Sequence, residues 1–143
     1  MSDINIDELK SHIGTMVEDY DIATEAPLRE MIVTFDRNDK EPDTGDDIHP
    51  GWHGCYFLPL SRRASLGADG LPTDTGVLPK MPLPRRMFAG GRFEFHAPIK
   101  VGDKLRRETE LMDLSLREGS TGALVFTKIA NRIYNDNGLC VLE

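Results

Sequence analysis

The sequence has few of the residues that mark secreted, disulfide-bonded or membrane-spanning proteins. Its 143 residues include only two cysteines, Cys55 and Cys140, which lie far apart in the chain. A disulfide framework is therefore not expected, and both are interpreted as small buried hydrophobic residues. No apolar run approaches the roughly 20 residues that a membrane span needs, and the opening residues are too polar for a signal peptide. We therefore expect a cytoplasmic protein with no membrane partner.

Several large enzyme classes are also without support in the sequence. There is no Gly-x-Ser-x-Gly elbow, no Walker loop and no Rossmann fingerprint, which removes the usual signatures of serine hydrolases, nucleotide hydrolases and dehydrogenases. The formal net charge of −7 argues against nonspecific binding to nucleic acid. An anionic ligand must then meet a local basic cluster. Arg85 with Arg86 is the clearest candidate, although solvated surface charge is the alternative for any such cluster.

Metal-ligating residue types occur together at one place only in the sequence. His49, His53 and Cys55 are close in the chain, but Pro50 and Gly51 prevent a helix that would bring both histidines to one face. No further cluster completes a ligand set, so no metal site is expected.

The first quarter of the chain has helical patterns. Ile6, Leu9 and Ile13 have helical spacing, and Pro27 suits the first turn of a second helix. The predicted apolar face of this second helix consists of Leu28, Met31, Ile32 and Phe35. Residues 15–23, between the two helices, are expected to form a first strand or an extended link. Residues 39–84 are rich in Pro, Gly and Asp, which predicts a long ordered loop region.

The rest of the chain has the period of two that is typical of strands. Phe93 and Phe95 are expected on the buried face of one strand, with His96 on its polar face, solvated or paired across strands. Further strands are predicted at residues 104–116, 123–134 and 139–142, the last following an Asn-Asp-Asn-Gly turn. Residues 1–143 are thus expected to form one α+β domain, an antiparallel meander packed on a helix. Its apolar last strand is expected to leave an unpaired edge.

Three segments resemble a known family. "LPRRMFAGGRFEFHAPIKVGD", with "HPGWHGCYFLP" before it and "EGSTGALVFTKIANRIYNDNGLCVLE" after it, is similar to the N-terminal half of MaoC-like hydratases, in the group of fungal-type 3-hydroxyacyl-thioester dehydratases and mesaconyl-C4-CoA hydratases. The resemblance implies a hot-dog fold, in which an antiparallel sheet wraps a helix, and pairing of two such folds into a double hot-dog. It also implies CoA or acyl-carrier thioesters as substrates, and no cofactor.

The resemblance implies a binding role for the segment around the paired glycines. Gly90 and Gly91 lack side chains, so a narrow pantetheine arm would lie against their backbone, with Phe88 beside it. Arg85 and Arg86 would then bind phosphates through charge-assisted hydrogen bonds. The alternative for the glycine pair is a β-bulge.

Trp52, Tyr56 and Phe57 are expected to close the open end of the sheet. The alternative is that Trp52, together with His53, lines an acyl pocket and binds substrate.

Catalytic residues are harder to assign. Members of the family carry an Asp-x-Asn-x-x-His segment after a helix, and this sequence keeps Asp36 and Asn38 but has Glu41 in place of the histidine. The alternative is that Asp36 and Asn38 simply end a helix and turn. In double hot-dog relatives the working Asp and His lie in a second half, which is not among these residues. The catalytic residues are therefore left unassigned.

Two functions are expected from this pattern. The first is the substrate-binding subunit of a hydratase or dehydratase, which needs a hot-dog partner chain that brings the catalytic Asp and His. The second is a noncatalytic acyl-CoA-binding or regulatory homodimer, and a hot-dog thioesterase is a weaker third. Because Glu41 replaces the histidine of the family pattern, catalysis by this chain alone is not favoured.

Overall fold

The computed structural model describes residues 4–73, 76–83, 85–120 and 122–143. The helices are α1 (Ile6–Lys10) and α2 (Glu25–Thr34), and two short 3-10 turns lie at Trp52–Cys55 and Arg63–Ser65. The strands are β1 (Met16–Ile22), β2 (Lys104–Gly119), β3 (Gly122–Tyr134) and β4 (Cys140–Leu142). Within the described residues, no helix has both the length and the apolar character needed to cross a bilayer.

The four strands form one sheet in the order β1-β2-β3-β4. Strands β3 and β4 are antiparallel, with Ile133 opposite Leu142, and the predicted turn between them is closed by the Gly138 N–H, which donates to the Asn135 carbonyl at 2.9 Å. Gly138 has a φ of 73°, a conformation that suits glycine in such a turn. In the described ranges, the strands β2, β3 and β4 follow one another without intervening helices, and the longer helix, α2, lies before them in the chain. This arrangement confirms the predicted α+β class.

The chain divides into two compact units. The first comprises Met1–Val17, Leu60–Arg92 and Glu108–Asn131. Its core is formed by Leu9, Val77, Leu111 and Leu114, all at most 8% exposed. The second comprises Glu18–Pro59, Phe93–Arg107 and Arg132–Glu143. Its larger core consists of Ala23, Leu28, Ile48, Tyr56, Phe57, Ile99, Val101, Leu105, Ile133, Val141 and Leu142.

Helix α2 differs from its predicted form at its apolar face. Leu28 is 3% exposed and belongs to the core of the second unit, whereas Phe35, predicted on the same face, is 60% exposed. The helix ends at Thr34, one residue before Phe35. The prediction for Phe35 was wrong because that residue already caps the helix instead of continuing its periodic face.

The segment around Phe95 and the edge of β4 also differ from expectation. Residues 93–96 form no regular strand, but Phe95 pairs with Leu142, and the His96 N–H donates to the Val141 carbonyl at 2.9 Å. Phe93 and Phe95 are 62% and 47% exposed, so the predicted buried face of this strand was wrong. The predicted bare edge was also wrong, since Glu94 and Glu143 exchange backbone hydrogen bonds of 2.7 and 3.0 Å along β4.

Candidate functional site

The two neighbouring arginines have different surroundings in the first unit. The Arg86 guanidinium donates to Asp69 Oδ2 from Nη2 at 3.1 Å and to the Pro72 carbonyl from Nη1 and Nη2 at 3.2 Å. The Leu71 N–H and then Arg86 hold the pKa of Asp69 below its usual value. Arg86 is therefore occupied in fastening a loop.

Arg85 is the available cation of this pair. Its side chain is exposed and lines a recess of about 110 Å³ whose apolar wall includes Met81 and Val125. Within the part of the chain that the structure describes, no acidic side chain pairs with it. Of the two arginines expected to bind phosphate, Arg85 thus keeps its guanidinium open to a ligand.

The paired glycines lie in an extended stretch with highly exposed neighbours. Phe88 is 86% exposed and packs on no core. Gly90 has a φ of 159°, close to fully extended, and a Cβ built there meets nothing within 4 Å. A Cβ on Gly91 comes to 3.4 Å from Phe88 Cζ, and Gly91 is not among the residues with positive φ. No left-handed bulge therefore explains Gly91, and the binding role remains a prediction.

Trp52 and His53 lie in the second unit, on the 3-10 turn Trp52–Cys55. Gly51 precedes this turn with a φ of 95°, which favours glycine. Trp52 packs partly buried against the core, with the His49 ring 4.8 Å away, edge to face, and the Arg37 guanidinium 5.5 Å above its indole. Tyr56 and Phe57, which follow the turn, are buried in the same core. The turn thus anchors Trp52 and places His53 beside it.

His53 is held by two phenylalanine rings. Its ring centroid lies 5.4 Å from that of Phe93 and 5.9 Å from that of Phe95, both edge to face. Burial lowers the pKa of His53 below its usual value. Its Nδ1 is shut off from solvent and has no hydrogen-bond partner. His53 is therefore a neutral imidazole near pH 7, with one ring nitrogen enclosed.

A cavity of about 460 Å³ opens beside His53 in the second unit. It forms because the Ile48 N–H donates to the Ile99 carbonyl at 2.8 Å, which brings two segments distant in sequence together. Its lining consists of Asp47, Ile48, His49, Pro50, His53, Phe95, His96, Ala97, Pro98 and Ile99. Three of the four histidines in the chain thus line one apolar cavity. Sequence reasoning missed His49 and His96 here, because no short-range pattern marks this pairing.

Two of the polar groups at this cavity already have partners. His49 Nε2 lies 3.1 Å from Asp39 Oδ2, and Arg37, followed by His49, keeps the pKa of Asp39 below its usual value. Asp47 pairs with Lys100 at 2.5 Å. Among the described residues, no group of three or more His, Cys, Asp or Glu side chains is arranged to hold a metal ion.

Asp36 lies two residues after the end of helix α2. Its φ is 50°, its N–H donates to the Val33 carbonyl at 3.1 Å, and the next N–H, of Arg37, donates to the Ile32 carbonyl at 3.0 Å. These two bonds form a Schellman motif, in which a left-handed residue follows the helix and satisfies its last carbonyls. These contacts support the alternative in which Asp36 ends a helix and has no catalytic role.

The other two residues of the degenerate motif do not form an acid–base pair with Asp36. Asn38 is exposed, and Glu41 Oε1 pairs instead with Arg29 Nε at 2.5 Å on a surface where both side chains are more than half exposed. Water cannot be excluded from such a surface, so it is a poor setting for proton transfer to carbon.

Comparison with known protein families gives a match over the last two thirds of the chain. Residues 51–143 match the family model for hydroxyacyl-thioester dehydratase type 2. The chain is also 38% identical over 102 residues to a mesaconyl-C(4)-CoA hydratase from Chloroflexus aurantiacus, a match that covers 71% of this chain and 36% of that protein. The chain therefore spans little more than a third of the length of this curated relative.

Among solved structures, the chain is similar to the C-terminally truncated HadBC complex, a 3R-hydroxyacyl-ACP dehydratase from Mycobacterium tuberculosis. The TM-score is 0.51 at 20% sequence identity, over 91% of this chain and 90% of that chain. At this identity the likeness shows the fold alone, and it confirms the expected hot-dog arrangement.

Proposed function

Because the chain belongs to the hydroxyacyl-thioester dehydratase type 2 family, we propose that it acts in a hydro-lyase that hydrates enoyl-CoA or dehydrates 3-hydroxyacyl thioesters. Within this enzyme, residues 1–143 are the substrate-binding half. A second hot-dog domain on a partner chain supplies the catalytic Asp and His. The partner chain is proposed because the described residues hold no acid–base pair at Asp36, Asn38 and Glu41.

One observation supports the proposal that this chain binds the substrate while the partner supplies the catalytic residues. In the segment that resembles the family's Asp-x-Asn-x-x-His pattern, Glu41 takes the place of the histidine, and it pairs with Arg29 at 2.5 Å on an exposed surface. Hydration of an enoyl thioester needs a base that activates water and an acid that protonates the α-carbon. A glutamate that is ion-paired in solvent, with Asp36 fixed at a helix end, provides neither.

The binding half has two sets of candidate groups, one in each unit. In the first unit, Arg85 is proposed to bind the phosphates of CoA, and the backbone of Gly90 and Gly91 to accept the pantetheine amides. As a separate candidate, the cavity beside His53 in the second unit is proposed as a pocket for an acyl group, since cavities of roughly 300–1000 Å³ suit small ligands. The reactive groups would come from the partner.

The alternative is a noncatalytic acyl-CoA-binding or regulatory homodimer. The same observation at Glu41 favours it, because a binding module needs no acid–base pair. Turnover on mixing with a catalytic hot-dog chain supports the hydro-lyase subunit, whereas binding without turnover in every such mixture supports the module.

The direct test is hydration of crotonyl-CoA by the isolated chain. We expect no turnover above the uncatalysed rate, and no effect of Asp36→Asn. Robust hydration that Asp36→Asn abolishes would overturn the proposal, because it would show that this chain carries its own catalytic aspartate.

A further inference from the structure

The recess beside Arg85 in the first unit has a floor that is fixed by the core. Leu78, Met81 and Val125 line this recess of about 110 Å³, and all three are partly buried against the core of that unit. Because close-packed side chains hold these three residues, the floor keeps its shape without a ligand. The volume lies below the roughly 300–1000 Å³ of pockets that enclose a whole small ligand, so the recess suits one ring system rather than an entire thioester.

Met87 also lines the recess and is 90% exposed. It belongs to neither of the two cores, so folding buries little of its apolar surface. Methionine is unbranched and flexible, and its sulfur makes favourable contacts with aromatic rings. A flat ring on the floor of the recess would therefore bury a side chain that folding alone leaves in water.

The two arginines of the recess offer different groups to a ligand. Arg86 uses Nε, Nη1 and Nη2 to bond Asp69 and the Pro72 carbonyl. Guanidinium N–H groups lie in the plane of the group, so these bonds leave its flat faces free, and such faces stack on aromatic rings. Arg85 is exposed and has no acidic partner among the described residues, so its N–H groups can bind an anion.

The floor and the cation together favour one class of ligand. An alkyl chain would contact the apolar floor but leave Arg85 unused. A free phosphate would bond to Arg85 but leave the floor and Met87 uncovered. A nucleotide uses both, since its base has flat faces that stack and its phosphates are joined to that base through a single sugar.

We infer that this recess binds the adenine ring of the CoA nucleotide, with Arg85 on the phosphates beside it and Met87 packed on the ring. The inference rests on the proposed function, in which the ligand is a thioester, and it adds which carrier the thioester has. A pantetheine arm on a carrier protein has no adenine, so the ligand of this chain is a free CoA thioester. Met87 is accordingly a specificity-determining residue.

The test uses three probes: butyryl-CoA, butyryl-4′-phosphopantetheine, which lacks the adenine nucleotide, and adenosine 3′,5′-bisphosphate, which lacks the thioester arm. Dissociation constants are measured by calorimetry near pH 7, and the nucleotide is also titrated as a competitor of butyryl-CoA. The variants are Met87→Ala, Arg85→Ala and the control Leu60→Ala. Leu60 is an apolar residue of the first unit that is 99% exposed and does not line the recess.

We expect the wild type to bind butyryl-CoA roughly tenfold or more tightly than butyryl-4′-phosphopantetheine, and the nucleotide to compete with butyryl-CoA. Met87→Ala should weaken binding of butyryl-CoA and of the nucleotide by the same factor, about two- to tenfold, which is the range of one sulfur–aromatic contact. It should leave butyryl-4′-phosphopantetheine unchanged, and its effect should not vary with salt. Arg85→Ala should weaken the two nucleotide-containing probes in a salt-dependent way, and Leu60→Ala none of the three.

Equal binding of butyryl-CoA and butyryl-4′-phosphopantetheine by the wild type would overturn the inference and leave the proposed function standing. So would a nucleotide that fails to compete with butyryl-CoA, or a Met87→Ala variant that binds the nucleotide as tightly as the wild type. A thermal melt checks that this variant folds, as expected for a residue outside both cores. Absence of binding to both thioesters would instead contradict the proposed function and the inference together.

Discussion

At the scale of the residue, Arg85 and Arg86 illustrate what a sequence can and cannot say. Both belong to one basic cluster, and the sequence predicts the same phosphate contact for each. Both line the same recess, but Arg86 is committed to Asp69 and the Pro72 carbonyl, whereas Arg85 has no acidic partner among the described residues. The cluster was predictable from residue types alone. The division of roles was not, because it depends on a loop that folds back on Arg86.

Arg85→Ala should therefore affect ligand binding, whereas Arg86→Ala should affect stability. We expect Arg85→Ala to weaken binding of CoA thioesters several-fold and to reduce its salt dependence, because an exposed guanidinium contact to phosphate is screened by salt. Its melting temperature should stay unchanged. Arg86→Ala should lower the melting temperature by a few degrees, about 1 kcal/mol, because it removes the fastening of residues 69–72.

Calorimetry at two salt concentrations and thermal melts of both variants check this pair. Loss of affinity in Arg86→Ala at unchanged stability, with no effect of Arg85→Ala, would reverse the assignment.

At the scale of the element, the strands were more predictable than the sites. Strands β2 and β3 lie within a few residues of their expected bounds because the period of two and the Asn-Asp-Asn-Gly turn are local signals. The second partner of β4 was not predictable, since Glu94 pairs with Glu143 about a third of the chain away. The cavity beside His53 depends on a pairing of the same kind, between Ile48 and Ile99.

The end of helix α2 offers a test of whether Asp36 is structural or catalytic. Asp36 occupies the left-handed position that glycine adopts without steric cost. Asp36→Gly should therefore stabilise the protein by about 1 kcal/mol, a rise of roughly 2–4 °C in melting temperature. Binding of CoA thioesters should not change. A drop in melting temperature, or any loss of function tied to the carboxylate, would contradict the structural role.

The stretch with the paired glycines has a matched control elsewhere in the first unit. Gly91 has no positive φ, and an added Cβ meets only the exposed Phe88 ring. Gly91→Ala should therefore leave stability unchanged or raise it by about 0.4–1 kcal/mol, while it weakens binding of a pantetheine arm that lies against this backbone.

Gly76→Ala is the control for this variant. Gly76 has a φ of 73°, and its Cβ would lie 3.4 Å from Val17 Cγ1, so the substitution should destabilise the protein by about 1 kcal/mol or more at unchanged affinity. Thermal melts and dissociation constants for both variants decide the matter. Unchanged affinity in a stable Gly91→Ala variant would place the pantetheine arm elsewhere.

At the scale of the whole molecule, the family and the hot-dog fold were already indicated by three segments of sequence, and the family match over residues 51–143 and the structural similarity confirm them. The organisation of the chain into two compact units was not foreseen, because each unit is assembled from three separated stretches of sequence. Long-range assembly of this kind leaves no local pattern. The roles of the individual site residues remain predictions for the same reason.

The central claim is that this chain binds CoA thioesters but does not convert them without a second hot-dog domain. Titration calorimetry of the isolated chain with crotonyl-CoA at low salt tests both parts at once, since binding gives a heat that saturates and turnover gives a heat that continues until the substrate is consumed. We predict saturable heat at one site per chain, with a return to baseline after each injection. Sustained heat of hydration, or no heat of binding at all, would contradict the account.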